Sequence, residues 1–235
     1  MICHLDQRAE MCRLRAEAMM IQSSSIIGKM VFILLCFKLT LADSSPVAGQ
    51  VNYDSIYCSL VAETKKDCKT ADYTALRMAY SKLSFFEPYE TDAKLNSSML
   101  TAYNKGDYEE AIFYAATILD MNYTDTDAHF LCWDAYGKTG DRERSKFHQT
   151  VVEGIIGSVL ASGDGKTYET AYKIVRVREE YAVLYMSGFK VQNQILIEHE
   201  GHLFDKLEVV NVDTGDTDTI YFNIDAVFAW YGNKK

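Results

Sequence analysis

Apolar residues recur at helical spacing through the middle of the chain and give way to alternation near its C-terminal end. Leu76, Ala79, Tyr80 and Leu83 lie three or four apart behind Asp72, which predicts a helix capped by Asp72 and stopped near FFEPY by Pro88. In AYNKGDYEEAIFYAATILD, Gly106 closes one helix and Asp107 opens the next, with Glu110 three residues on in a capping-box-like place. The second helix buries Tyr108, Ala111, Ile112, Ala115, Ile118 and Leu119, so the pair reads as a helical hairpin. Gly140-Asp141 repeats this punctuation 34 residues after Gly106-Asp107.

Beyond Gly163-Asp164-Gly165 the period changes. TAYKIVRV reads as a strand, and REEYAVLYMSG as a short helix with Glu179 and Glu180 in its first turn and Gly188 at its end. KVQNQILIEH, HLFDKLEVVNV and TDTIYFNID read as three more strands, turning at Glu200-Gly201 and at Asp213-Thr214-Gly215-Asp216. The apolar face of GIIGSVLA, just before the change of period, is the element expected to cover that sheet.

The N-terminus reads as an address. MVFILLCFKLTLA, from Met30, is too short and too interrupted by Lys38 for a comfortable membrane span, and Thr40-Leu41-Ala42 offers a signal-peptidase site before Asp43. The expected protein is exported, periplasmic or secreted; an uncleaved segment would instead anchor it in the inner membrane. The preceding residues make a long, mixed-charge leader, and Met19 and Met20 are alternative starts.

A chain of 235 residues, 48% hydrophobic, can bury a sizeable core without staples. Its net charge of -9 argues against nucleic acid as a partner, because phosphate binding needs clustered Lys and Arg. Of the 6 cysteines, Cys3, Cys12 and Cys36 would leave with the leader. Cys58 and Cys68 flank a short polar stretch and can pair in an oxidising compartment, whereas Cys132 lies in a helical apolar pattern as a buried thiol.

Candidate chemistry is sparse. Gly165-Lys166-Thr167 ends like a phosphate-binding loop, but the glycine such a loop needs is replaced by Leu160, and a helix precedes where a strand is required. No nucleotide and no cofactor are expected. EHEGHLFD gathers His199, His202 and Asp205 as possible ligands of one divalent metal, although strand alternation does not guarantee that Asp205 faces the same way. His129 and Cys132 share a helix face, a poor arrangement for a nucleophile and its base. No GxSxG elbow occurs.

The 34-residue recurrence resembles the tetratricopeptide repeat, with Ala111 at its small position, but Ser145 departs from the pattern in the second copy. Together, ADYTALRMAY, FEPY, GDYEEA, SGDGKTYETAYKIVRVREEY and IYFNID resemble, in this order, a bacterial family of exported proteins called domain of unknown function 4919. That resemblance covers about Tyr73 to Asp225 and implies an envelope protein with tetratricopeptide-like helices and a small sheet, without implying a reaction. The expected fold is α+β: helical hairpins packed with a small, mostly antiparallel C-terminal sheet carrying one short helix. Its expected segments are an extension and signal at 1–42, a polar linker at 43–70, helices at 71–162 and an α+β part at 163–235, forming one compact unit with the helices. The expected function is binding of a protein or peptide in the envelope; the alternative is a metal-assisted or carboxylate-dependent hydrolase acting through the His199 to Asp205 region.

Overall fold

The computed structural model describes residues 51–89 and 91–233; the expected signal segment lies outside them. The fold is α+β. Six helices come first: α1 (Tyr53–Lys66), α2 (Tyr73–Tyr80), α3 (Ala93–Asn104), α4 (Tyr108–Met121), α5 (Thr126–Thr139) and α6 (Arg142–Leu160). The short strand β1 (Tyr172–Lys173) and the helix α7 (Val177–Met186) follow, then β2 (Phe189–His199), β3 (His202–Asn211), β4 (Thr217–Asn223) and the helix α8 (Asp225–Asn233).

Helix starts are set by side-chain oxygens that satisfy otherwise orphaned amides. Asp72, Asp107 and Asp141 accept from the backbone N–H of Ala75, Glu110 and Arg144, as the sequence suggested. Gly106 and Gly140 turn the chain with φ of 80° and 86°, which an L side chain rarely adopts. Two segments depart from expectation. The supposed polar linker contains α1, capped by Asn52; Tyr57 and Thr64 are buried along it, and Leu60 and Val61 between them pack half-buried against the helical core. TAYKIVRV is extended for only two residues, because Val177 already begins α7.

Helices α3 to α6 pack in chain order, and α6 lies between two cores. Val151 and Ile155 join Leu76, Tyr80, Met99, Ala115 and Ile118 in the helical core. Val152, Ile156 and Val159 face Val183, Leu207, Ile220 and Phe222 beneath the sheet. Gly154 lets α2 approach closely: a Cβ there would lie 2.1 Å from the ring of Tyr73.

The sheet order is β1-β4-β3-β2. β2–β3 and β3–β4 are antiparallel hairpins, and the short β1 runs parallel to β4. Asp205, Leu207 and Val209 of β3 point inward with Ile220 and Phe222 of β4, while Phe204 is buried on the other face beneath Tyr168, at 5.2 Å between ring centres. The GDGKT turn is spent on this architecture. Asp164 and Gly165 donate their amides to the Thr170 carbonyl at 3.0 and 2.8 Å, and the Gly165 carbonyl accepts from Tyr221 N at 2.8 Å. Amides engaged in this way cannot converge on a phosphate. Gly163 is obligatory for packing, since a Cβ there would meet the Thr170 carbonyl oxygen at 2.1 Å.

Candidate functional site

Charged residues from the helices and from the start of the sheet meet in the interior. Arg77, in α2, is 1% exposed and donates through Nε and Nη2 to both oxygens of Glu179 in α7, at 2.8 and 2.7 Å. Its remaining donors reach Ser158 Oγ and the Lys173 carbonyl, each at 3.0 Å. Val175 N completes the carboxylate by donating to Glu179 Oε2 at 2.9 Å. Every charge-bearing edge is therefore matched, as a desolvated pair requires.

The second tie joins Arg176 to Asp125. Arg176 Nη1 donates to Asp125 Oδ2 at 3.0 Å, and the guanidinium also reaches the Glu87 carbonyl and Thr91 Oγ1, each at 3.3 Å. Asp125 is at once the N-cap of α5, accepting from Ala128 N at 3.1 Å. Burial opposes both charges, yet the Arg176 charge holds Asp125 below the usual carboxylate range, and Asp125 holds the guanidinium protonated.

Nearby lies a carboxyl pair that no cation of the described residues neutralises. Glu180 of α7 and Asp205 of β3 are bridged by Gln194 of β2, whose Nε2 donates to Asp205 Oδ2 at 2.9 Å and to Glu180 Oε2 at 3.4 Å. Gln194 Oε1 is fixed in turn by the Tyr181 hydroxyl at 2.8 Å. Burial, and then the adjacent Asp205, push the Glu180 carboxyl well above its ordinary range; burial raises Asp205 too. A proton on Glu180 lets it donate to Asp205 and removes one of two facing charges. The folded state thus holds a proton that the unfolded chain releases above about 4.5, so this pair's contribution to stability falls as pH rises through the folded value. Glu180→Gln, which keeps the shape and removes the ionisation, is expected to gain stability relative to the parent at pH 8 and to lose that gain at pH 4. Denaturant midpoints at the two pH values check this, and a pH-independent difference would refute it.

The buried His129 and the half-buried His148 form a second pair, Nδ1 to Nδ1 at 2.8 Å. His129 Nε2 lies 3.0 Å from the Tyr123 carbonyl, so it carries the proton, and His148 Nδ1 donates to the unprotonated His129 Nδ1. Burial, reinforced by the neighbouring His148, lowers His129 to about 3; burial and the Arg144 charge lower His148 to about 4. Below 6.5 the unfolded chain takes up protons that this folded pair refuses, so its contribution to stability is lost on acidification. In an NMR titration, the ring resonances of these two histidines are expected to stay fixed from pH 8 to pH 5; midpoints near 6.5 would contradict the pair. Cys132, on the same helix as His129, is buried and pushed up to about 12, an inert thiol rather than a nucleophile.

The sequence-derived ligands do not converge. His199 and His202 are opposite each other at the end of the β2–β3 hairpin, but His199 stacks on Tyr168 at 4.2 Å and His202 hydrogen-bonds Asp225 Oδ2 at 2.7 Å. Asp205 points to the other face, toward Gln194 and Glu180. The physical reason is strand alternation: Asp205 lies three positions after His202, an odd step that reverses the face. Among the described residues no group of three His, Cys, Asp or Glu could hold a metal ion. Cys58 and Cys68 are both free thiols, the first exposed on α1 and the second packed toward the helical core.

Two surface features remain. An open groove of about 560 Å³ on the outer sheet face is lined by Lys166, Gln192, Glu208, Thr217, Asp218, Thr219 and Tyr221, with Lys166 and Asp218 paired across it. Phe113 of α4 is 66% exposed, the Tyr114 ring edge-on to it at 5.6 Å. Of the buried residues, Glu179 and Glu180 were read only as acids of a first helical turn, and no sequence pattern assigned a role to Arg77, Asp125 or Arg176, although Arg77 falls in ADYTALRMAY and Arg176 in KIVRVREEY.

No curated protein and no solved structure matches the chain. A family model does, over residues 49–232, further toward the N-terminus than the sequence resemblance reached and including α1. The match spans the helices, the buried ties and the sheet together, and the chain belongs to the family described as Domain of unknown function (DUF4919).

Proposed function

We propose that this is a non-catalytic, exported protein of the bacterial envelope that binds a protein or peptide through its helical layer. The observation that carries this reading is Phe113, presented to solvent from mid-helix while the other large apolar residues of α4, apart from Met121 at its last position, turn inward or lie half-covered. An aromatic side chain left in water on a rigid helix suits an interface anchor, because it brings large contact area at little entropic cost. The paired Gly-Asp turns, resembling those of tetratricopeptide hairpins, favour the same use. The buried ions support it from the other side, since they tie the layers together and leave the surface to recognition.

The test is a photoreactive amino acid at position 113 in the native bacterial host, compared with one at the exposed Asp213. A discrete adduct from position 113 and none from 213 is the expected result. Equal labelling, or none, would remove the helical layer as the binding surface, and recovery of the chain from the cytoplasm alone would remove the envelope.

A further inference from the structure

We propose that two copies of this chain associate through the outer edge of β2, joining their sheets in antiparallel register with Leu196 opposite Leu196 of the second copy. This goes beyond the helical binding reading, as it uses another surface and another occupant. β2 is an edge strand of 11 residues, and among the described residues no segment pairs with its outer side. Ile195 and Leu196, adjacent in sequence and hence on opposite faces, are 41% and 53% exposed. Such an edge is a template for another strand.

The turn geometry determines which backbone groups that strand would meet. Glu200 and Gly201 both have positive φ, 51° and 81°, and form a two-residue turn closed by the pair His199 and His202. The closing pair of such a turn exchanges both hydrogen bonds, and hydrogen-bonded pairs alternate along the ladder. Ile197 and Ile195 therefore bond inward to β3, while the N–H and C=O groups of Gln194, Leu196 and Glu198 point outward. The bulge between Val191 and Asn193 interrupts one end, leaving Asn193 to His199 as the regular stretch available for pairing.

A two-fold axis at Leu196 is the register that fits this stretch. It sets Leu196 against Leu196, Ile195 against Ile197, Gln194 against Glu198 and Asn193 against His199, so apolar meets apolar and polar meets polar. All three outward-facing residues then fall in hydrogen-bonded pairs. Moving the axis to Gln194 or Ile195 sets Leu196 against Gln192 or Gln194 and loses that match. Charge selects the antiparallel sense as well: Lys190 lies at one end of the strand and Glu198 and Glu200 at the other, so antiparallel pairing brings the acidic end of one copy toward the basic end of its partner.

A contact limited to one strand is small, so the association is concentration-dependent, and sedimentation velocity of the full chain from about 1 µM to 1 mM reads it. The parent is expected to form dimers within that range. Leu196→Lys and Leu196→Glu, at an exposed position and with circular dichroism and thermal midpoint unchanged, are each expected to weaken the dimer at least about tenfold by setting like charges opposite each other. An equimolar mixture of the two variants is expected to regain dimers, because residue 196 faces itself only across this axis. A parent that stays monomeric throughout, single variants that dimerise as the parent does, or a mixture that stays monomeric would each overturn the proposal.

Discussion

Arg77→Met is expected to lower the unfolding free energy by about 3–5 kcal/mol, the usual cost of leaving a buried ion without its partner. The substitution removes both strong donors from Glu179, which is 2% exposed and retains from this network only the backbone amide of Val175. The double variant Arg77→Met with Glu179→Met is expected to recover most of the loss, since apolar side chains of similar volume often replace a buried pair at little cost. Guanidinium denaturation of the parent, the two single variants and the double variant closes the cycle. Additive losses would mean that the two residues do not act as a pair.

Asp125→Ala is expected to cost roughly 4–6 kcal/mol, because one side chain performs two tasks. It caps α5 through Oδ1 and neutralises Arg176 through Oδ2. Asp125→Asn retains an oxygen for the cap but removes the charge, and its single carbonyl cannot serve both Ala128 N and the guanidinium; its expected loss is smaller by about 1 kcal/mol. With typical domain stability of about 5–15 kcal/mol, the alanine variant approaches unfolding at ambient temperature. The order Ala, then Asn, then parent in denaturant midpoint is the result to check. Equal midpoints for Asn and parent would show that Asp125 acts as a cap alone.

The residues behind these effects were hard to read from the sequence for a physical reason. Turns and caps are local: Gly106-Asp107 and Gly140-Asp141 carry their own hydrogen-bond logic, and both appear where the pattern placed them. Buried ions are not local. Arg77 and Glu179 are 102 residues apart in the chain, and neither has a neighbour in sequence that reveals the other. Glu179 and Glu180 were read as favourable acids in the first turn of a helix, a role that presumes solvent, yet both are buried. α1 escaped notice because its core-facing stripe is narrow and set among polar residues: Tyr57, Leu60, Val61 and Thr64 recur at helical spacing, but only Tyr57 and Thr64 are fully buried. At His199, His202 and Asp205 the chain carried both the attraction and the objection: proximity in sequence suggested a cluster, and alternation placed Asp205 on the opposite face.

The ties between the two layers also bear on the order in which the protein can be made. Ribosomal synthesis delivers Arg77 and Asp125 about 100 and 50 residues before their counterions, so the nascent helices hold an unmatched cation and an unmatched anion until residues 176–179 emerge. The helical hairpins are therefore no transferable cassette. Cut away from the C-terminal part they would keep their caps and lose the charges that make their interior tolerable, and the chain commits to its native form only when its last third arrives.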